Sequence, residues 1–193
     1  MRIAAFILAF ALFTSAAPIA QTRASRQTQF EVEQALMALP TYGVFDFLAF
    51  GLDRGTVTLE GYTYSGSLKS AAVRAVKRLP GVDSVNDRIE QLPPSSGDDR
   101  IRWATFYRIY GDDFLSRYAP GGAMAARYEL IQARRFPGLQ PSGTYPIHIV
   151  VRNGRTTLMG IVDSPADKVM AEFRARDVSG VFSVRNELVV ESD

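Results

Sequence analysis

The fold is decided by Leu48–Leu92, LAFGLDRGTVTLEGYTYSGSLKSAAVRAVKRLPGVDSVNDRIEQL, because the chain writes it twice. An offset of 99 positions carries this stretch onto Ile147–Glu191, IHIVVRNGRTTLMGIVDSPADKVMAEFRARDVSGVFSVRNELVVE, without a gap. Gly55, Thr58, Leu59, Gly61, Ser65, Lys69, Ala72, Gly81, Val82, Ser84 and Val85 each fall on their own kind, eleven identities in 45 positions. Several other apolar positions keep their character: Leu48/Ile147, Phe50/Ile149, Leu52/Val151 and Ile89/Leu188. Repetition at a fixed offset is the signature of a duplicated structural unit.

Within the unit the pattern changes period twice. Leu48, Phe50 and Leu52 alternate along a strand spanning Phe45–Leu52. Asp53-Arg54-Gly55 is a turn, and Thr56–Glu60 is a second alternating strand, so the two make a hairpin. Asn153-Gly154 is the stronger form of that turn, since both residues tolerate positive φ. Gly61 and Gly160 end the second strand, at a bend or where a neighbour packs close. Ser65 or Ser67 caps a helix over Leu68–Leu79, with Leu68, Ala72, Ala75, Val76 and Leu79 as its apolar stripe. Pro80-Gly81 stops it, and Val82, Val85 and Ile89 mark a third strand. A helix between strands two and three permits parallel pairing there. In the second unit Ser164-Pro165-Ala166-Asp167 is a helix start: a cap, Pro at the first position, and an acid in the first turn.

A helix precedes each pair of strands. Phe30–Leu39 is the first, after a polar, flexible lead-in at Thr22–Thr28; Ile101–Tyr110 is the second, crowded with Trp103, Phe106, Tyr107 and Tyr110 as core. Leu92–Asp99, rich in Pro, Ser, Gly and Asp, reads as the linker. The expected fold is therefore α+β: two tandem α-β-β-α-β units, each a three-stranded mixed sheet packed by two helices. The expected boundaries are 27–92 for the first unit, 93–99 for the linker and 100–191 for the second. Residues 119–144 are an insertion without a counterpart, with a helix at Ala123–Phe136 that offers Met124, Ala125, Tyr128 and Ile131 for burial.

The N-terminus reads as an address. Arg2 precedes a continuous apolar run, Ile3–Phe13, and then the small residues Thr14–Ala17, the order of a secretory signal. The run is too short to span a bilayer, which takes roughly 20 residues. Residues 1–20 are thus expected to be removed on export; an uncleaved anchor is the alternative. With no cysteine among 193 residues, disulfides, thiolate catalysis and lipidation of an N-terminal Cys are excluded. A net charge of +2 gives no argument for nucleic-acid binding.

The doubled pattern resembles the BON family (bacterial OsmY and nodulation). The residues that carry the resemblance are Gly55–Gly61 (GTVTLEG) with Leu79–Val85 (LPGVDSV), and Gly154–Gly160 with Gly180–Val184. The resemblance implies an exported periplasmic protein that is not an enzyme, takes no cofactor, and binds phospholipid membrane surfaces in envelope or osmotic stress. It also implies an alternative: an oligomeric scaffold or chaperone-like module that binds envelope proteins or itself, because related domains build rings.

Candidate sites are few. His148 is the only histidine, and one imidazole makes no metal site. Asp98-Asp99 and Asp112-Asp113 are acid pairs in Gly/Pro-rich surroundings, where the ordinary reading is a helix cap or solvated turn. Gly55, Gly61, Gly81, Gly154, Gly160 and Gly180 are structural. The basic face of the first unit, Lys69, Arg74, Lys77 and Arg78, reads as solvated. The helix after Pro165 carries the one anomaly. Ala171, Ala175 and Val178 repeat the core stripe, yet Val169 and Phe173 add a second apolar face where the first unit has Ser70 and Arg74. A helix apolar on two sides is usually covered on both. The insertion or the other unit would cover it; otherwise Val169 and Phe173, with Lys168, Arg174 and Arg176, would meet lipid or a partner.

Overall fold

A computed structural model describes residues 16–135, 140–141 and 144–191. The elements run α1 (Ala16–Met37), β1 (Phe47–Asp53), β2 (Thr56–Thr63), α2 (Gly66–Val76) and β3 (Ser84–Gln91). The second unit follows as α3 (Ser96–Tyr110), a 3-10 turn (Leu115–Tyr118), α4 (Gly122–Arg135), β4 (Ile147–Arg152), β5 (Arg155–Val162), α5 (Pro165–Arg176) and β6 (Ser183–Val190). Each sheet has three strands in the order β1-β2-β3 or β4-β5-β6, the first pair antiparallel and the second parallel. This is the α+β tandem that the repeat predicts.

Local chemistry accounts for the register. Arg54 and Gly55 have φ of 45° and 80°, and Asn153 and Gly154 have 52° and 72°. Two successive positive φ values make the tight two-residue turn whose twist suits a hairpin. Gly61 and Gly160 are not bulges but points of close approach. A Cβ there would lie 2.0 Å from the carbonyl oxygen of Phe47 or Pro146 respectively. Ser65, Ser95 and Ser164 each cap a helix, accepting from Ser67, Asp98 and Asp167 N–H groups.

The two cores are built alike. Leu59 and Leu158 are both fully buried, as are Ala72 and Ala171, and Ile89 and Leu188 are nearly so. Val32 and Leu36 of α1 close the first core, while Phe106 and Ile109 of α3 close the second. The second core also takes in Val44 and Phe45, which precede β1 in the first unit. Phe45 meets Trp103 edge-on at 5.2 Å, and Ile149 N–H donates to the Val44 carbonyl at 2.8 Å.

Three expectations are corrected. The lead-in Thr22–Thr28 is not irregular: α1 is continuous through it, and Thr28 is buried. Its Ala, Arg and Gln are good helix formers, which outweighs their polarity. The linker is shorter than its composition suggests, since Ser96–Asp99 form the first turn of α3. The insertion does hold a helix, but with the opposite face inward. Met124, Tyr128 and Ile131 are exposed while Ala126 is buried. The apolar run Ile3–Phe13 lies outside the described residues, and among those no helix is long and apolar enough to cross a membrane.

Candidate functional site

Two features are candidates: the outer face of α5 in the second unit, and a cavity lined by both units. On α5 the structure uncovers what the sequence expected to be covered. Val169 and Phe173 are 67% and 61% exposed, so neither the described part of the insertion nor the first unit shields them. Their basic neighbours are differently placed. Arg174 is tied to Asp112 at 2.6 Å, with its guanidinium 5.7 Å from the Phe173 ring centre. Arg176 pairs with Glu172 at 2.6 Å and thereby holds that carboxyl below its ordinary range. The Lys168 ammonium has no acidic partner within 4.0 Å among the described residues. Helix α4 adds the exposed stripe Met124, Tyr128 and Ile131, at helical spacing.

Of the paired acids Asp98, Asp99 and Asp112 turn out to be structural, while Asp113 is exposed in a turn as expected. Asp98 is buried and accepts from Asn153 and Gly154 N–H at 2.9 and 2.8 Å, pinning the β4–β5 turn to α3. Asp112 accepts from Phe114 and Leu115 N–H at the 3-10 turn besides holding Arg174. Asp99 pairs with Arg102, a fully buried guanidinium that also donates to the Val151 carbonyl at 2.6 Å. In the first unit's basic face, Lys69 is engaged by Asp87 at 3.4 Å, while Arg74, Lys77 and Arg78 are exposed.

Sequence reasoning passed over Asp46. It is fully buried and accepts from Gly43 N–H (3.0 Å), Tyr64 N–H (2.6 Å) and Gln140 Nε2 (2.9 Å). Burial lifts its pKa above the ordinary carboxylate value, against the pull of those donors. Its partners are up to 94 residues away in sequence, so no local pattern announces it.

The cavity measures about 840 Å³ and lies between the end of α1, strand β1 and the open face of the second sheet. That size suits a ligand. His148 and Met159 face each other across β4 and β5, and Ile161 and Val189 across β5 and β6; all four line the cavity. His148 sits between Tyr42, whose hydroxyl is 3.4 Å from Nε2, and the edge of Phe47. Its Nδ1 is buried. Burial drives the imidazole pKa down from 6.5 to about 4, so His148 is neutral across the physiological range. Among the described residues no three His, Cys, Asp or Glu side chains gather as metal ligands.

Duplicated three-stranded units, each held by glycines at fixed places, define a class of small tandem α+β modules. A profile of the BON domain matches residues 52–93 and 136–192, and the chain belongs to the BON family. It is similar to osmotically-inducible protein Y of Escherichia coli (strain K12), 29% identical over 136 residues. That match covers 70% of this chain and 58% of the relative, so the chain spans under two thirds of the relative's length. Among solved structures it is similar to CdsD, a structural protein of the type III secretion system of Chlamydia trachomatis. That match has 16% identity, 86% and 92% coverage of the two chains, and a TM-score of 0.28. A second structure, of the CdsD C-terminal domain, matches at 16% identity, with 84% and 96% coverage and a TM-score of 0.26. Scores this low carry no argument.

Proposed function

We propose that this chain is an exported, non-enzymatic envelope protein of the periplasm that touches phospholipid surfaces through the outer face of α5, without a cofactor. The observation that carries the reading is the exposure of Val169 and Phe173, at 67% and 61%, where the first unit places Ser70 and Arg74. An amphipathic helix with such a face lies in the boundary between headgroups and acyl chains. The stripe on α4 adds to the apolar area available, and the leader-like N-terminus supports the address. The name of the Escherichia coli relative, osmotically inducible, supports a role in osmotic stress.

The contact is weak. Arg174 and Arg176 already hold acids, and Lys168, with no acid within 4.0 Å among the described residues, still feels the charge of Glu172. An unpaired basic residue near anionic lipid contributes about 1 kcal/mol. Attachment therefore rests on the apolar side chains and is only mildly salt-sensitive. Co-sedimentation with vesicles of phosphatidylethanolamine and phosphatidylglycerol tests this. Phe173→Ser is expected to lower the pelleted fraction several-fold while the melting temperature stays put, because the side chain is exposed. Unchanged pelleting would refute the reading. So would a large assembly, seen by light scattering, that ignores lipid; that result would favour a scaffold.

A further inference from the structure

Beyond Leu48 the outer edge of β1 has no strand partner, and it borders the cavity. Asp53 and Thr56 close a two-residue turn, so they form a hydrogen-bonded pair, and bonding alternates from there. Asp53, Gly51, Ala49 and Phe47 thus bond to β2, while Leu48, Phe50 and Leu52 turn their N–H and C=O outward. The second unit shows what such an edge looks like when closed. Ile147, Ile149 and Val151 are the counterparts: the Tyr110 hydroxyl meets both groups of Ile147, the Val44 carbonyl meets the Ile149 N–H, and Arg102 meets the Val151 C=O. On β1 the Tyr42 hydroxyl meets Leu48. No hydrogen bond to the outward N–H and C=O of Phe50 occurs among the described residues.

Phe47, Leu48, Ala49 and Phe50 all line the cavity. Successive residues of a strand point to opposite faces, so a cavity touching all four runs along the strand's edge. Its opposite wall is apolar: Met159, Ile161 and Val189. Two exposed acids also border it: Glu33, and Glu187, which already pairs with Arg185 at 3.4 Å.

We propose that this cavity binds an extended peptide segment of a partner protein, which adds to β1 as a fourth strand and places alternate apolar side chains against Met159, Ile161 and Val189. A free edge is a template for such pairing. An acyl chain would fill the apolar volume but strip water from the Phe50 N–H and C=O and return no hydrogen bond. Glu33 selects a segment with a basic residue beside its apolar run. This surface is separate from the α5 face, and the two readings stand or fall independently.

The test uses the full chain and a fluorescein-labelled heptapeptide of alternating Val and Thr with Lys at both ends, followed by anisotropy. Binding is expected, and N-methylation of the amides on one edge of the peptide is expected to weaken it at least about tenfold. Ala49→Lys, at an exposed side chain, is expected to cause the same loss with an unchanged melting temperature and unchanged vesicle pelleting. Equal binding of the methylated peptide would overturn the proposal. So would occupancy by oleate in preference to the peptide, or no peptide binding at about 1 mM.

Discussion

β1 and β4 hold the same place in the two units and face opposite fates. Both are the antiparallel edge of a three-stranded sheet, and both are held by a glycine on the neighbouring strand. Yet α3 lays Arg102 and Tyr110 along the edge of β4, whereas α1 packs chiefly on α2. Duplication has kept the geometry that the backbone demands and let the edge diverge. An unpaired strand edge invites pairing with another chain, and proteins usually blunt it. Here one is blunted by a buried Arg and a buried Tyr, and the other borders a cavity.

The strongest way to break the comparison is to attack what the two edges share. Gly61→Ala and Gly160→Ala should each cost about 3–4 kcal/mol, since both φ values are positive and the added carbon meets a carbonyl. Urea denaturation measures both; tolerance at either site would show that the units are not built alike. Next comes what the edges do not share. Tyr110→Phe should cost about 2 kcal/mol, because both the N–H and the C=O of Ile147 lose a buried partner. A neutral result would mean that the β4 edge is closed by other means.

A smaller effect concerns His148, which the cavity keeps neutral. Its folded pKa, about 4, lies below the unfolded value of 6.5. The unfolded chain therefore takes up the proton first as pH falls. No contribution is felt above 6.5, and stability declines between 6.5 and about 4, by on the order of 2 kcal/mol once solvent near the ring is allowed for. Melting temperatures of the wild type and His148→Phe at pH 7 and pH 4.5 check this. The variant should lose less on acidification, and equal losses would place the sensitivity elsewhere. Smallest is Phe173→Ser, expected to change stability by under about 0.5 kcal/mol because its side chain leaves no cavity behind.

What could be read from the sequence was local. The turns at Gly55 and Gly154, the caps at Ser65 and Ser164, and the stripe Ala72–Val76 all follow from neighbours a few residues apart. What escaped was non-local or a matter of which face wins. Arg102 sits among aromatics with nothing nearby to mark it as buried; its partners are Asp99 and a carbonyl 49 residues on. Met124, Tyr128 and Ile131 read as interior because they are apolar, but apolar residues are not confined to interiors. The small Ala126 takes the inner side instead. At α5 the pattern gave the anomaly, and only the neighbouring elements could show that Val169 and Phe173 stay uncovered.

Val44 and Phe45 carry a consequence for how the molecule comes apart. They belong by sequence to the first repeat, yet they complete the interior of the second. A fragment cut near Pro94 would start the second half with a hole where the Phe45 ring belongs. The halves should accordingly melt together, as one calorimetric peak.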